Sequence, residues 1–186
     1  MRQMPEDTML QVTDLKKYFP IEAGFFRRRV VGYVRAVDGV SFSIKKGQTL
    51  GLVGESGCGK TTTARVILRA LDPTEGSILF RGKDGIVDMA TLDRSGLKTA
   101  RADMQMVFQD PYSSLNPRMP VTDIISEPLR AHGFSKKEQE EKVRELREMV
   151  GLRVEYARRY PHSFSGGQRQ RIGEARALAL RQSLIV

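Results

Sequence analysis

Cysteine is nearly absent: Cys58 is the single one in 186 residues, which excludes an internal disulfide framework. Apolar runs of about eighteen residues are missing too, and with them a transmembrane helix. The opening Met1-Arg2-Gln3-Met4-Pro5-Glu6-Asp7 lacks the basic-then-apolar order of a signal peptide, so a soluble, cytosolic protein is expected. Internal repeats and low-complexity tracts are also absent. Acidic residues are outnumbered, giving a net charge of +9, which would suit a polyanionic partner. The basic residues are scattered, however, through Lys16-Lys17, Arg27-Arg28-Arg29, Lys45-Lys46, Arg158-Arg159 and residues 169–181. No aromatics interleave with them to form a base-stacking platform, so solvated faces explain the charge better and no nucleic-acid partner is expected. What is present is enough apolar residue, 40%, for one globular domain with a core.

Strands and turns dominate the first part. Residues 10–13, 34–37 and 40–44 alternate apolar or β-branched side chains and are broken at Asp38-Gly39 and Lys46-Gly47, which predicts a small antiparallel layer. Residues 20–30, containing Gly24-Phe25-Phe26-Arg27-Arg28-Arg29, read as a hairpin excursion in preference to a membrane-surface contact. Thr49-Leu50-Gly51-Leu52-Val53 is a short apolar run that predicts a strand. After Lys60 a helical pattern places Ala64, Ile67, Leu68 and Leu71 on one face. A turn at Asp72-Pro73-Thr74-Glu75-Gly76 leads to a strand over 77–80, then a polar, loosely helical stretch to Ala102 and a strand over 104–108. From about residue 117 the pattern is helical. Ser135 and Glu138 form a capping box that opens a helix with Val143, Leu146, Met149 and Val150 as its apolar stripe and Gly151 as its stop. A last helix begins near Gly166 and carries Ile172, Ala175, Leu178 and Ala179.

Four groups of residues suggest chemistry. Gly54-Glu55-Ser56-Gly57-Cys58-Gly59-Lys60-Thr61 fits the phosphate-loop pattern G-x-x-x-x-G-K-S/T, between an expected strand and an expected helix. Its glycines let backbone N–H groups point at phosphate oxygens, and the helix adds its positive end. Lys60 would reach the β- and γ-phosphates of ATP and Thr61 would coordinate Mg²⁺, while Cys58 serves as a small loop residue. Gln109, at the end of an expected strand, either turns its side-chain carbonyl toward a metal ion and attacking water or is an ordinary polar strand end. Phe19 and Tyr18 either stack on an adenine ring or belong to the core. Ser165-Gly166-Gly167-Gln168 precedes a helix and supplies a hydroxyl and two glycine N–H groups for anionic oxygens. One nucleotide does not need two phosphate sites within a chain, so a clamp between two copies is the economical explanation. The alternative is a plain Ser N-cap followed by permissive glycines.

In this order the motifs resemble the ATP-binding subunits of ABC transporters, of the dipeptide and oligopeptide importer type, over essentially the whole chain. Ala36-Val37-Asp38-Gly39-Val40-Ser41-Phe42, Met106-Val107-Phe108-Gln109-Asp110-Pro111, Ser113-Ser114-Leu115-Asn116-Pro117-Arg118 and Arg159-Tyr160-Pro161-His162 carry the narrower resemblance. It implies an α/β fold: a P-loop NTPase core with an N-terminal antiparallel β layer and a helical subdomain. The layer and core would occupy 10–80, the helical subdomain 110–165, and the signature helix with the start of the Walker B strand 166–186. It implies ATP and Mg²⁺ as cofactors, bound by residues 54–62 including Thr62, with Phe19 against the adenine. Gln109 becomes a sensor that couples the γ-phosphate and Mg²⁺ to a membrane subunit docking near residues 110–128. Residues 165–168 become the signature that contacts the nucleotide of a second ATPase subunit in a head-to-tail dimer. Further implied partners are transmembrane permease subunits and, indirectly, a peptide-binding protein, at the cytoplasmic face of the inner membrane.

Ser163, Glu174 and Arg181-Gln182-Ser183 depart from the family pattern, and Glu174 is expected to threaten a packed helix face. Beyond Leu184-Ile185-Val186 that pattern continues into an Asp and a Glu that position Mg²⁺ and water, a dimer loop and a switch His. The expectation is therefore a C-terminally truncated domain that binds ATP but hydrolyses it negligibly and is prone to instability. Competing expectations are a non-catalytic nucleotide-binding fragment, a soluble non-transport ABC protein, and a P-loop kinase, which would leave residues 165–168 unexplained.

Overall fold

Leu10, Val12 and Leu15 bury apolar side chains along the first strand, β1 (Thr8–Ala23), which pairs antiparallel with β2 (Arg29–Lys45). In this computed structural model residues 4–24, 28–107 and 115–186 are described. They divide into two compact units, Met1–Arg101 and Ala102–Val186.

In the first unit β3 (Glu75–Gly82) lies on the other side of β1, and β4 (Gly85–Asp88) follows it, giving the order β2-β1-β3-β4. The antiparallel layer is as expected, but three short strands have become two long ones. Asp38-Gly39 does not break β2, because the register shifts around it and around Asp14 (φ +45°) absorb extra residues as bulges without ending the ladder. The hairpin over 20–30 forms, with Ala23 opposite Arg29; its tip, 25–27, lies outside the described residues. Pairing of β3 with β1 reaches only Lys16–Glu75, so beyond Lys17 the first two strands continue as a two-stranded arm exposing Ile21, Val30, Val31, Tyr33 and Val34. The core lies under the three-stranded part, where Leu10, Leu15, Ile78 and Phe80 are wholly buried, each contributing about 1.5–3 kcal/mol.

Helix α1 (Lys60–Ile67) starts directly after the Gly-rich loop and buries Thr63, Val66 and Ile67. Leu68 is also buried, but Ala64 and Leu71 are only half-buried, so the inward stripe is rotated from the expected one. The expected strand over 49–53 is not formed. Leu50, Leu52 and Val53 are exposed and find no strand partner among the described residues, and an extended segment without a paired neighbour has no ladder to join. Helix α2 (Arg94–Ala102) completes the unit.

The second unit packs α3 (Val121–Ala131), α4 (Lys136–Met149) and α5 (Gly166–Leu178) around Val121, Ile124, Ile125, Leu129, Leu146 and Ile172. Strands β5 (Met104–Gln105) and β6 (Leu184–Ile185) pair in parallel, extended by Val107 N–H donating to the Val186 carbonyl at 2.8 Å. The α4 stripe differs from expectation in one place. Met149 is 63% exposed, and Arg147 is buried instead, its guanidinium donating to the Val154 carbonyl at 3.1 Å. Gly151 (φ +68°) ends the helix region as expected. Glu174 is half-buried, outside the packed face formed by Ile172 and Ala175, so the feared buried charge does not arise. No helix among the described residues is long and apolar enough to cross a membrane.

Candidate functional site

Glycine sets the geometry of residues 54–61. Gly57 (φ +85°) and Gly59 (φ +96°) adopt left-handed conformations, and Gly59 occupies the N-cap of α1 without any side-chain cap. A Cβ on Gly59 would lie 2.2 Å from the Ala36 carbonyl oxygen of β2, so only glycine lets the loop seat against that strand. Thr63 closes the first helical turn, its N–H and hydroxyl both donating to the Gly59 carbonyl, at 2.8 and 3.0 Å. The N–H groups of Lys60, Thr61 and Thr62 precede the first i−4 acceptor within the helix and are therefore available to an anion.

Lys60 curls back over the loop. Its ammonium donates to the carbonyls of Gly54 at 2.7 Å and Glu55 at 2.6 Å and approaches Cys58 Sγ at 3.5 Å. The Cys58 N–H donates to the Glu55 carbonyl at 3.3 Å, closing a tight turn around Ser56 and Gly57. Cys58 is thus an exposed small residue packed beside Gly54, where a Cβ would lie 2.6 Å from its sulfur. This cradle joins a fixed positive charge, a helix N-terminus and convergent N–H groups, which is a chemistry for phosphate oxygens. Thr61 is exposed and Thr62 half-buried. Among the described residues no group of three His, Cys, Asp or Glu could hold a metal ion by itself. The exposed Thr61 hydroxyl does fit Mg²⁺, which commonly takes few protein ligands beside phosphate and water oxygens.

Phe19 stands opposite Val34, and Ala36, which receives Gly59, is two residues further along the same strand. Cross-strand spacing therefore puts Phe19 within about 10 Å of the loop's end. The ring is half-buried and the Lys17 ammonium lies 4.9 Å from its centroid. Tyr18 points to the other face of the ladder. Its hydroxyl donates to Asp38, Arg35 covers its ring at 5.5 Å, and its N–H donates to Thr74 Oγ1 at 2.9 Å. The hydrogen bond between them pushes the Tyr18 hydroxyl pKa up and holds the Asp38 carboxyl below its ordinary range. Sequence reading missed this cluster because its members are twenty residues apart and meet only through the ladder register.

Residues 165–168 lie in the second unit. Ser165 is the N-cap of α5 in a full capping box: its Oγ accepts from the Gln168 N–H at 3.4 Å, and Gln168 Oε1 accepts from the Ser165 N–H at 3.1 Å. Phe164 anchors the turn, buried and packed edge-on to Tyr156 at 5.3 Å. Arg169 ties it further, its Nε donating to the Pro161 carbonyl at 2.8 Å. Ser165 and Gly167 face solvent, and a Cβ on Gly167 would meet nothing within 4 Å. Gln109 lies outside the described residues.

A sequence profile described as ABC transporter matches residues 37–186. The oligopeptide transport ATP-binding protein AppF of Bacillus subtilis (strain 168) is 55% identical over 183 residues, covering 97% of this chain and 54% of AppF. The probable peptide ABC transporter ATP-binding protein y4tS of Sinorhizobium fredii is 50% identical, covering 97% of this chain and 50% of that protein. The chain spans about half the length of these curated relatives. Among solved structures, the dimeric post-hydrolysis state of the ATP-binding cassette MJ0796 bound to ADP and Pi aligns at a TM-score of 0.79 and 27% identity, covering 95% of this chain and 72% of that one.

Proposed function

Since the chain belongs to the ABC transporter family, we propose that it is an ATP-binding subunit that powers peptide import through a membrane transporter. Residues 54–62 hold the phosphates of ATP, Lys60 reaches the terminal ones, and Phe19 carries the adenine. Thr61 and Gln109 hold Mg²⁺, which when bound draws charge from the phosphate oxygens. Ser165, Gly166, Gly167 and Gln168 serve the nucleotide of a second, head-to-tail subunit. Residues 10–80 form the β layer and loop core, 110–165 the helical subdomain that faces the permease subunits, and 166–186 the signature helix and following strand. The peptide-binding protein is reached only through those permease subunits, and the assembly works at the cytoplasmic face of the inner membrane. Peptides are favoured as cargo by the names of the relatives AppF and y4tS.

The observation that carries this reading is the loop cradle, with Lys60 bonded across it to Gly54 and Glu55. Those two carbonyls take the Lys60 ammonium across the loop. Phosphate oxygens would offer the same ammonium a charge-assisted alternative, next to the N–H groups that open α1.

Calorimetric titration of this span with MgATP tests the reading. Lys60→Ala is expected to weaken binding at least about tenfold, the scale of one lost charged contact of about 1.4 kcal/mol. Equal affinity in wild type and variant would remove the cradle from the account.

A further inference from the structure

Phe19 sits where the sheet ceases to support it. The third strand stops at Lys16–Glu75, so the backbone at Phe19 is held by a two-stranded arm only, and such ribbons are marginal in water. A ring that is to receive a flat base needs a defined position, and an unsupported ribbon does not give one. Immediately at this boundary the opposite face of the ladder carries a cluster with no evident structural need. Tyr18 and Arg35 are cross-strand partners. The Tyr18 hydroxyl donates to Asp38 Oδ1, Arg35 Nη1 approaches Asp38 Oδ2 at 3.5 Å, and the Arg35 guanidinium covers the Tyr18 ring at 5.5 Å. On the other side, the Tyr18 N–H donates to Thr74 Oγ1 at 2.9 Å, in the turn before β3. The residue before Phe19 is therefore fastened to both neighbouring segments at once. The same stretch of β2, through the Ala36 carbonyl, receives Gly59 of the loop.

We propose that Tyr18, Asp38 and Arg35 form a clamp that positions the Phe19 ring relative to the phosphate loop, so that the clamp sets affinity for the purine base while leaving phosphate binding untouched. This rests on the nucleotide-binding reading above. Asp38 is the pivot, because its carboxylate accepts from Tyr18 and faces Arg35, both reaching it from the arm side. Lys17 belongs to the same device, since its ammonium lies 4.9 Å from the Phe19 centroid and so occupies one ring face. The three clamp residues act through Phe19 alone, as positioning residues.

The test compares MgATP with magnesium tripolyphosphate, which has the phosphates and lacks the base, as ligands of the full 186-residue chain. Tyr18→Phe is expected to weaken ATP about fivefold, the scale of a coupling energy within one contact network, with tripolyphosphate unchanged within about twofold. Phe19→Ala should abolish the advantage of ATP over tripolyphosphate, and adding Tyr18→Phe to it should change nothing further. Asp38→Asn, which keeps the shape and weakens the pairing, supplies a second variant should Tyr18→Phe melt early. Equal loss of both ligands, an unchanged ratio, or an added loss in the Phe19→Ala background would each overturn the clamp. Failure of the underlying reading looks different: Lys60→Ala would then leave tripolyphosphate binding intact, which sinks the loop and the clamp together.

Discussion

Helices α4 and α5 open with the same device and opposite electrostatics. At α4 the Ser135 hydroxyl caps the Glu138 N–H while the Glu138 carboxylate accepts the Ser135 N–H at 2.8 Å. At α5 the Ser165 hydroxyl caps the Gln168 N–H while the neutral Gln168 amide accepts the Ser165 N–H. The backbone geometry is equivalent, but α4 places a negative charge on its positive end and α5 has no acidic residue in its first turn. Glycines at 166 and 167 add to the difference, keeping the approach to α5 open where α4 presents Lys136 and Lys137. A capping box alone therefore does not announce a phosphate site. Which residue completes it decides whether the helix dipole is already neutralised or remains for an incoming anion.

The largest way to break that contrast is to exchange the completing residues. Gln168→Glu keeps the cap and adds the charge, and it should weaken ATP-dependent self-association at least about tenfold, whereas Glu138→Gln should leave it unchanged. Sedimentation velocity with and without MgATP reads both. Next, Ser135→Ala and Ser165→Ala should each lower stability by about 1 kcal/mol in urea unfolding, as lost N-caps do, yet only the second should impair association. A smaller effect concerns pH. The Ser135 hydroxyl and backbone N–H hold the Glu138 carboxyl below its ordinary value of 4.5. Its contribution is therefore present above that value and fades as pH falls through the lower folded value. Urea midpoints between about pH 3 and 6 should lose part of their acid slope in Glu138→Gln, while Gln168→Ala should not alter the slope. Smallest of all, Met149→Lys should change stability by no more than about 0.5 kcal/mol, since that side chain is exposed.

What the sequence made legible was local. The Ser135–Glu138 box, the glycines and Lys60 of the loop, and the stop at Gly151 each depend on residues within one turn, and their physics is fixed by neighbours in the chain. What escaped depends on register and pairing. Residues 49–53 have the composition of a strand, but no described strand offers them a ladder. Asp38-Gly39 has the composition of a turn, but register shifts in the ladder around it keep β2 continuous. Tyr18, Arg35 and Asp38 meet only because of that shifted register. On α4 the apolar periodicity favoured Met149, yet Arg147 can place its stem inward while its Nη1 donates to the Val154 carbonyl, a choice that periodicity does not see.

We propose that the loop at 54–61 and the turn at 165–168 serve opposite sides of one shared nucleotide, supplied by two copies of the chain. Mixing two defective chains tests it most directly. Lys60→Ala and Gln168→Glu should each fail to associate with MgATP alone, while an equimolar mixture should recover association, because one of its two composite sites then holds an intact Lys60 facing an intact Gln168. A mixture that sediments like either variant by itself, or a wild-type chain indifferent to MgATP, would contradict the account.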